Sequence, residues 1–421
     1  MRAVLEPSLI SGSVKIPPSK SMAHRAILCA GLSRGFSRIY NLEYSKDIAA
    51  TIGGIRQLGA IVQPSEHSAE IEGKGGFATV MRPIQCGESG STLRFLIPLA
   101  SLTGQEVSFT GAKRLFERPH NVYKEIFAQR SLHFNQSVKN ITIQGALTAG
   151  EYIVPGNVSS QFISGLLFAM PLMRADSTIH ITPPFESRSY INLTLSALQD
   201  FNIKAEYISD DTIKVYGNQL YYPCEYTVEG DYSQGAFFAV LGSVLGDVEI
   251  NGLRHTSMQG DKAILDILKR CNAKFSKTQD GYHFNKSTLS ATEIDLADCP
   301  DLGPILMVLG TFCKGDTVIH NASRLRLKEC DRISAMEEEL TKLGGKIYSE
   351  GSDIFISKAK LHTADNLSSH NDHRIAMALS IAALAAKIDV KINGAEAVAK
   401  SYPDFFDDLY SIGAKVELSD E

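Results

Sequence analysis

Apolar and polar positions recur along this chain in two interleaved series. The first is amphipathic. Stretches such as Asp47–Leu58 and Asp331–Leu343 repeat apolar residues three and four apart, the period of a helix with one buried face. Each copy runs into a short signature: "GAIV" at Gly59, "SLHF" at Ser131, "NIKA" at Asn202, "NAKF" at Asn272, "GGKI" at Gly344 and "GAKV" at Gly413. Successive copies lie 72, 71, 70, 72 and 69 residues apart. Gly or Asn at that point predicts a helix stop followed by a strand. The second series is apolar nearly all round and rich in small residues. Its members start at Ser21, Ser91, Ser160, Ser233, Asp301 and Asp372, on the same spacing. Helices without a polar face are buried ones. Segments such as "STIHITP" and "DTVIHNAS" alternate as strands do.

One unit of two helices and several strands is therefore repeated six times. Two series holding one period argue against coincidence. The predicted class is α/β, with three repeats packed into each of two domains. The polar, Tyr-rich stretch "YGNQLYYPCEYTVEGDY" marks the break between them. A chain of 421 residues fits that division, since single cores rarely grow beyond about 250–300 residues.

Composition narrows the function classes. Hydrophobic content of 44% and charged content of 21% are those of an ordinary globular protein. The net charge of −5 gives no general pull toward nucleic acid or an anionic membrane, so any polyanion site has to be local. The N-terminus has no apolar signal core. The longest apolar runs, such as Ile375–Ala386, fall short of the ~20 residues of a membrane span. Seven cysteines, an odd number with no C-x-x-C pair, fit reduced thiols and a cytoplasmic setting. No histidine spacing suggests a metal.

The buried helices open on polar clusters: Ser19-Lys20-Ser21, Gly90-Ser91-Thr92, Ser159-Ser160-Gln161, Asp231 to Gln234, Asp298 to Asp301 and Asn371 to Arg374. Free N–H groups at a helix start bind anions, and hydroxyls add donors. Ordinary capping accounts for the serines and aspartates. It does not account for Lys20, Arg25, Arg94 and Arg374 at or near these starts. Nor does it account for Arg118, Lys328, Arg332 and Lys400 where amphipathic helices are expected to begin. The positive end of the helix dipole repels each of them. Eight such placements predict an anionic ligand that offsets the cost. Asp301, Glu329, Asp331, Asp372 and His373 are candidate acid–base groups in the same segments. In "LKECDR", Lys328 and Arg332 share a face if the stretch is helical. By itself that segment fits an exposed, salt-bridged helix start.

Taken together, "PPSKSMAHRA", "CGESGSTLR", "FERP", "SSQFISGLL", "ESRSYINLTL", "CPDLGPIL", "LKECDRISAMEEEL", "NDHRIAMALS" and "KSYPDFF" resemble the 5-enolpyruvylshikimate-3-phosphate synthase family of enolpyruvyl transferases. The resemblance runs the length of the chain, with its segments in family order. It implies a two-domain inside-out α/β barrel of six βαβαββ units, with parallel buried helices whose N-termini face a cleft between the domains. It implies one domain from residues 1–17 plus 226–421 and another from 18–225.

The implied reaction transfers the enolpyruvyl group of phosphoenolpyruvate to the 5-hydroxyl of shikimate-3-phosphate, through a tetrahedral intermediate, with release of phosphate. It belongs to chorismate and aromatic amino acid biosynthesis. Both substrates are polyanions, which would explain cations at helix starts. By motif match, Lys20 would touch both substrates. Ser21, Arg25, Ser159, Ser160, Gln161 and Ser187 would hold shikimate-3-phosphate, with Tyr190 beside them. Asp301 would hold the shikimate hydroxyls and accept the 5-hydroxyl proton, and Lys328 would assist. Glu329 would deliver a proton to C3. Gly90, Arg118, Gln161, Arg332, Arg374 and Lys400, with Lys20, would hold phosphoenolpyruvate. No metal, nucleotide or organic cofactor is implied. No nucleic-acid or membrane partner is implied either, and the expected state is a monomer.

Two positions depart from the common family pattern, Glu88 and Arg324, where Asn is frequent. Gly90 is the residue type of glyphosate-sensitive members. The nearest alternative is the UDP-N-acetylglucosamine enolpyruvyl transferase, which usually carries a cysteine in the loop that here reads "GAKRLFERPH". A non-catalytic anion- or nucleic-acid-binding protein is another alternative. The absence of Trp, the acidic balance and scattered cations weigh against a nucleic-acid surface.

Overall fold

The computed structural model describes residues 1–420. The chain folds as two compact units, one of Met1–Pro17 with Glu229–Glu421 and one of Pro18–Val228. Each has its own apolar core.

The Pro18–Val228 unit contains α1 (Lys20–Leu32), α2 (Lys46–Gln57), α3 (Gly90–Ser101), α4 (Lys113–Glu117), α5 (Asn121–Gln129), α6 (Ser160–Ala169) and α7 (Arg188–Asp200). Helices α1, α3 and α6 are the apolar series, and α3 packs directly on α6. Their approach is close enough that a Cβ on Gly165 would lie 2.3 Å from the Arg94 carbonyl oxygen, so only glycine fits. Three four-stranded sheets cover these helices. In one, Arg34–Tyr40 pairs antiparallel with Ser68–Lys74 and parallel with Glu225–Thr227. The last strand of the unit thus completes the sheet of its first repeat.

The second unit contains α8 (Tyr232–Leu245), α9 (Ala263–Arg270), α10 (Gly303–Phe312), α11 (Arg332–Lys342), α12 (His373–Ala386) and α13 (Phe405–Ser411). Helices α8, α10 and α12 pack on one another. Every residue of α12 before Ala386 is buried. Completely burying one Leu or Ile is worth about 1.5–3 kcal/mol, which is why this series needs no polar face. Three further four-stranded sheets surround them. The N-terminus closes two: Arg2–Glu6 lies between Val390–Asn393 and Lys415–Ser419, and Gly12–Lys15 pairs parallel with Val248–Asn251.

The six predicted stops are all real. Gly59, Ser131, Asn202, Asn272, Gly344 and Gly413 have φ of 113°, 55°, 62°, 64°, 84° and 97°. Each reverses the chain from an amphipathic helix into a strand. Two local expectations fail. Lys328 and Arg332 do not share a helical face: Ser323–Leu327 is a 3₁₀ turn, Lys328 is extended, and α11 begins only at Arg332. Likewise Lys400 ends a 3₁₀ turn rather than starting a helix, and α13 begins at Phe405.

Candidate active site

The predicted residues form two clusters, one in each unit. In the Pro18–Val228 unit, the first turns of α1, α3, α6 and α7 carry no acidic residue, so their positive ends are not neutralised locally. Polar side chains cross-link these ends. His24 bonds Thr51 at 2.7 Å, Thr51 bonds Thr92 at 2.6 Å, and Gln161 donates to Ser91 at 2.9 Å.

Lys20 opens α1, and its ammonium lies 2.9 Å from Asp47 on α2. Ser21 follows it, half-buried. Arg25 is buried and donates to the carbonyls of Ser21 and Tyr190 at 2.6 and 2.8 Å and to the Thr194 hydroxyl at 2.8 Å. That uses three of its five N–H groups and leaves two. Burial lowers its pKa to about 10, still protonated at neutral pH.

Gly90 is the first residue of α3 and is buried. A Cβ there would lie 3.0 Å from Arg118 Nη1 and 3.3 Å from Gln161 Oε1, so these three residues meet. Arg94 donates to Gln161 at 2.7 Å and stacks on Phe162, which fixes the Gln161 amide. Ser159 caps α6 and Ser160 follows, 7% exposed. Ser187 precedes α7 in a left-handed conformation, φ 55°, and is buried beside Tyr190.

The other unit holds a denser network. Asp301 accepts from Lys328 at 3.1 Å, from Arg332 at 3.3 Å and from Arg374 at 3.2 Å. Burial alone would push the Asp301 carboxyl up. Arg374, Lys328 and Arg332 outweigh it and hold the group well below the usual carboxylate range. Burial lowers the Lys328 ammonium, against the pull of Asp301. Arg332 donates to Glu329 at 2.8 Å and to Asp372 at 2.7 Å, and these acids raise its affinity for the proton despite burial. Lys400 donates to the Asn371 carbonyl at 2.5 Å.

Arg332 is therefore buried and Lys328 half-buried, so the two are not an exposed salt-bridged pair. The energetic expectation also changes. Most of the eight cations have partners within the chain, so a bound anion is not needed to offset their placement. Two acid–base candidates have structural duties instead. Asp331 caps α11, and Asp372 caps α12 through the Arg374 N–H at 2.8 Å. Glu88 is half-buried before Ser89, and Arg324 is buried near Lys328. Sequence reasoning missed Asp47 as the partner of Lys20. Asp47 reads only as an acid in a first helical turn, and its pairing spans 27 residues.

No helix among the described residues is long and apolar enough to cross a membrane. All seven cysteines are free. Comparison with known proteins places the chain. The family model described as EPSP synthase (3-phosphoshikimate 1-carboxyvinyltransferase) matches residues 4–409. A 3-phosphoshikimate 1-carboxyvinyltransferase of Clostridium kluyveri is 40% identical over 415 residues, covering 98% of this chain and 97% of that one. One from Clostridium novyi is 43% identical over 423 residues, covering 98% and 97%. The solved EPSP synthase of Acinetobacter baumannii has the same fold, with TM-score 0.83 at 23% identity over 100% of both chains. The enolpyruvyl transferase NikO of Streptomyces tendae also shares it, with TM-score 0.82 at 16% identity over 99% and 98% of the two chains. The two clusters thus sit in a chain that belongs to the EPSP synthase family, the 3-phosphoshikimate 1-carboxyvinyltransferases.

Proposed function

We propose that this protein transfers the enolpyruvyl group of phosphoenolpyruvate to the 5-hydroxyl of shikimate-3-phosphate and releases inorganic phosphate. The observation that carries the reading is the network of Asp301, Glu329, Lys328, Arg332 and Arg374, in which two carboxylates meet buried Arg332 and Arg374 and half-buried Lys328. Such a set both holds an anion and supplies proton acceptors and donors. Family membership gives the chemistry its direction.

In the proposed reaction the 5-hydroxyl oxygen bonds to C2 of phosphoenolpyruvate. Its proton passes to Asp301, and Glu329 gives a proton to C3. The C2–O bond to phosphate then breaks, C3 returns a proton, and the enol ether forms. Within the chain both acids are committed to cations. Asp301 is a weak base while three cations face it, and Glu329 is tied to Arg332. Substrate carboxylate and phosphate groups that draw Arg332 and Arg374 into their own bonds would loosen those pairs. Asp301 then gains basicity and Glu329 is freed to carry a proton. Substrate binding itself tunes the catalytic groups in this scheme.

Lys20, Ser21, Arg25, Ser159, Ser160, Gln161, Ser187, Asp301 and Lys328 are assigned to shikimate-3-phosphate. Gly90, Arg118, Gln161, Arg332, Arg374 and Lys400, with Lys20, are assigned to phosphoenolpyruvate. Both sets draw residues from both units. We assign the protein to the cytoplasm as a monomer, in keeping with its free cysteines. The test is phosphate release with both substrates together and with each alone. Release only with both, abolished by Lys20→Ala, supports the assignment. Turnover of a UDP-sugar in place of shikimate-3-phosphate overturns it.

A further inference from the structure

Helix α11 touches the segment before α12 at two points seven residues apart. At its start, Arg332 donates to Asp372 at 2.7 Å. Two turns later Glu339, whose side chain is 0% exposed, meets the same segment. Its Oε2 accepts from the Ser368 N–H at 3.1 Å, and its Oε1 from His370 Nε2 at 2.8 Å. Lys342 balances the charge, at 2.8 Å from both Glu338 and Glu339. That ammonium already pairs with both carboxylates of the Glu338, Glu339 and His370 cluster.

The segment held this way is conformationally costly. His370 and Asn371 are consecutive left-handed residues, with φ of 49° and 54°, and neither is glycine. Such backbone persists where its surroundings over-determine it, and ligand clamps are a common place for it. Here the surroundings are Glu339 on one side and the Ser368 and Ser369 hydroxyls on the other, which accept from the His370 and Asn371 N–H groups at 3.0 and 3.2 Å. The turn ends on groups that organise three cations. The Asn371 carbonyl receives Lys400, and Asp372 orients Arg332 and caps the helix that carries Arg374.

We propose that Glu339 and His370 are positioning residues for the phosphoenolpyruvate cations, acting by locking the His370-Asn371 turn so that Arg332, Arg374 and Lys400 converge. The inference rests on the functional reading above. Seven residues at 1.5 Å rise put Glu339 about 10 Å along α11 from Arg332, so it acts through the turn and not on the ligand.

The test pairs steady-state kinetics with amide hydrogen exchange on Glu339→Gln, His370→Ala and His370→Gln. In the first two, KM for phosphoenolpyruvate is expected to rise about tenfold while KM for shikimate-3-phosphate stays within about twofold. Exchange at residues 369–372 is expected to quicken without a matching change in the rest of α12. His370→Gln keeps a side-chain donor and is expected to restore much of the loss. Equal changes in both KM values, or unchanged exchange at 369–372, overturn the proposal. Wild-type protein that exchanges normally but shows no turnover overturns the transferase reading and the phosphoenolpyruvate role together. The exchange data on the variants then still decide whether Glu339 locks the turn.

Discussion

Arg332 and Asp372 form a pair removed from solvent. The guanidinium donates through Nε at 2.7 Å and Nη2 at 3.3 Å, and the two side chains are 1% and 0% exposed. Removing one member of such a pair strands the other charge, at a cost of about 3–5 kcal/mol. Asp372→Ala should therefore lower stability by that order, read by chemical denaturation, and should lose activity through misplaced Arg332. Arg332→Lys should also fail to restore activity, because a point charge cannot span Asp372, Glu329 and Asp301 together. Full activity in Arg332→Lys would contradict this account.

Gly90 leads to a steric prediction. A Cβ at that position would sit 3.0 Å from Arg118 Nη1 and 3.3 Å from Gln161 Oε1. Gly90→Ala is expected to push both groups and raise KM for phosphoenolpyruvate by about tenfold, or about 1.4 kcal/mol. We predict that micromolar glyphosate inhibits the wild-type protein in competition with phosphoenolpyruvate, and that Gly90→Ala blunts this. The measurement is an inhibition curve at several phosphoenolpyruvate concentrations. Wild-type protein indifferent to millimolar inhibitor would refute the assignment of this helix start.

Asp47 tests the role of Lys20. Their 2.9 Å contact is partly exposed, at 18% and 14%, so its direct worth in stability is about 1 kcal/mol or less. Asp47→Asn is therefore expected to leave the melting temperature nearly unchanged while reducing kcat/KM about tenfold or more, because Lys20 loses its fixed direction. Equal loss of activity and stability would point to a structural role alone.

The acid sensitivity of the Pro18–Val228 unit follows from two buried histidines. Burial, with Arg94 and Arg118 adding to it, lowers His120 to about 3, and burial with Lys20 and Arg25 lowers His24 well below its usual value. In the unfolded chain both protonate near 6.5. Between the two values the unfolded state binds more protons, so stability falls as pH falls below about 6.5, by about 1.4 kcal/mol per pH unit for each histidine. Asp301, in the other unit, is also lowered, by its three cations, and has the same sign of effect. Its lowered folded value gives stability that is present above about 4 and lost only below it. Denaturation midpoints between pH 7 and 4.5 should therefore fall in the wild type and fall less steeply in His120→Gln, where His24 still contributes. A parallel slope in that variant would remove His120 from the account.

The amino-acid sequence by itself determined the repeat and its local punctuation. Helix periodicity and the six left-handed stops depend on contacts within a few residues, so Gly59 through Gly413 could be read directly. The cations of the site were visible as residue types that ordinary capping does not favour. Their partners were not. Arg332 meets Asp372 across 40 residues and Arg374 meets Asp301 across 73, while Arg25 meets Tyr190 across 165. Such pairings exist only once six sheets and their helices have packed. The same holds for Arg2–Glu6, which joins a sheet with strands from the far end of the chain. Lys328 and Arg332 have the spacing of one helical face, but the chain turns before the helix begins and brings the Lys328 ammonium to Asp301 instead. Local physics wrote the elements, and long-range packing, which sets how far each charge lies from every other, decided which charges face one another.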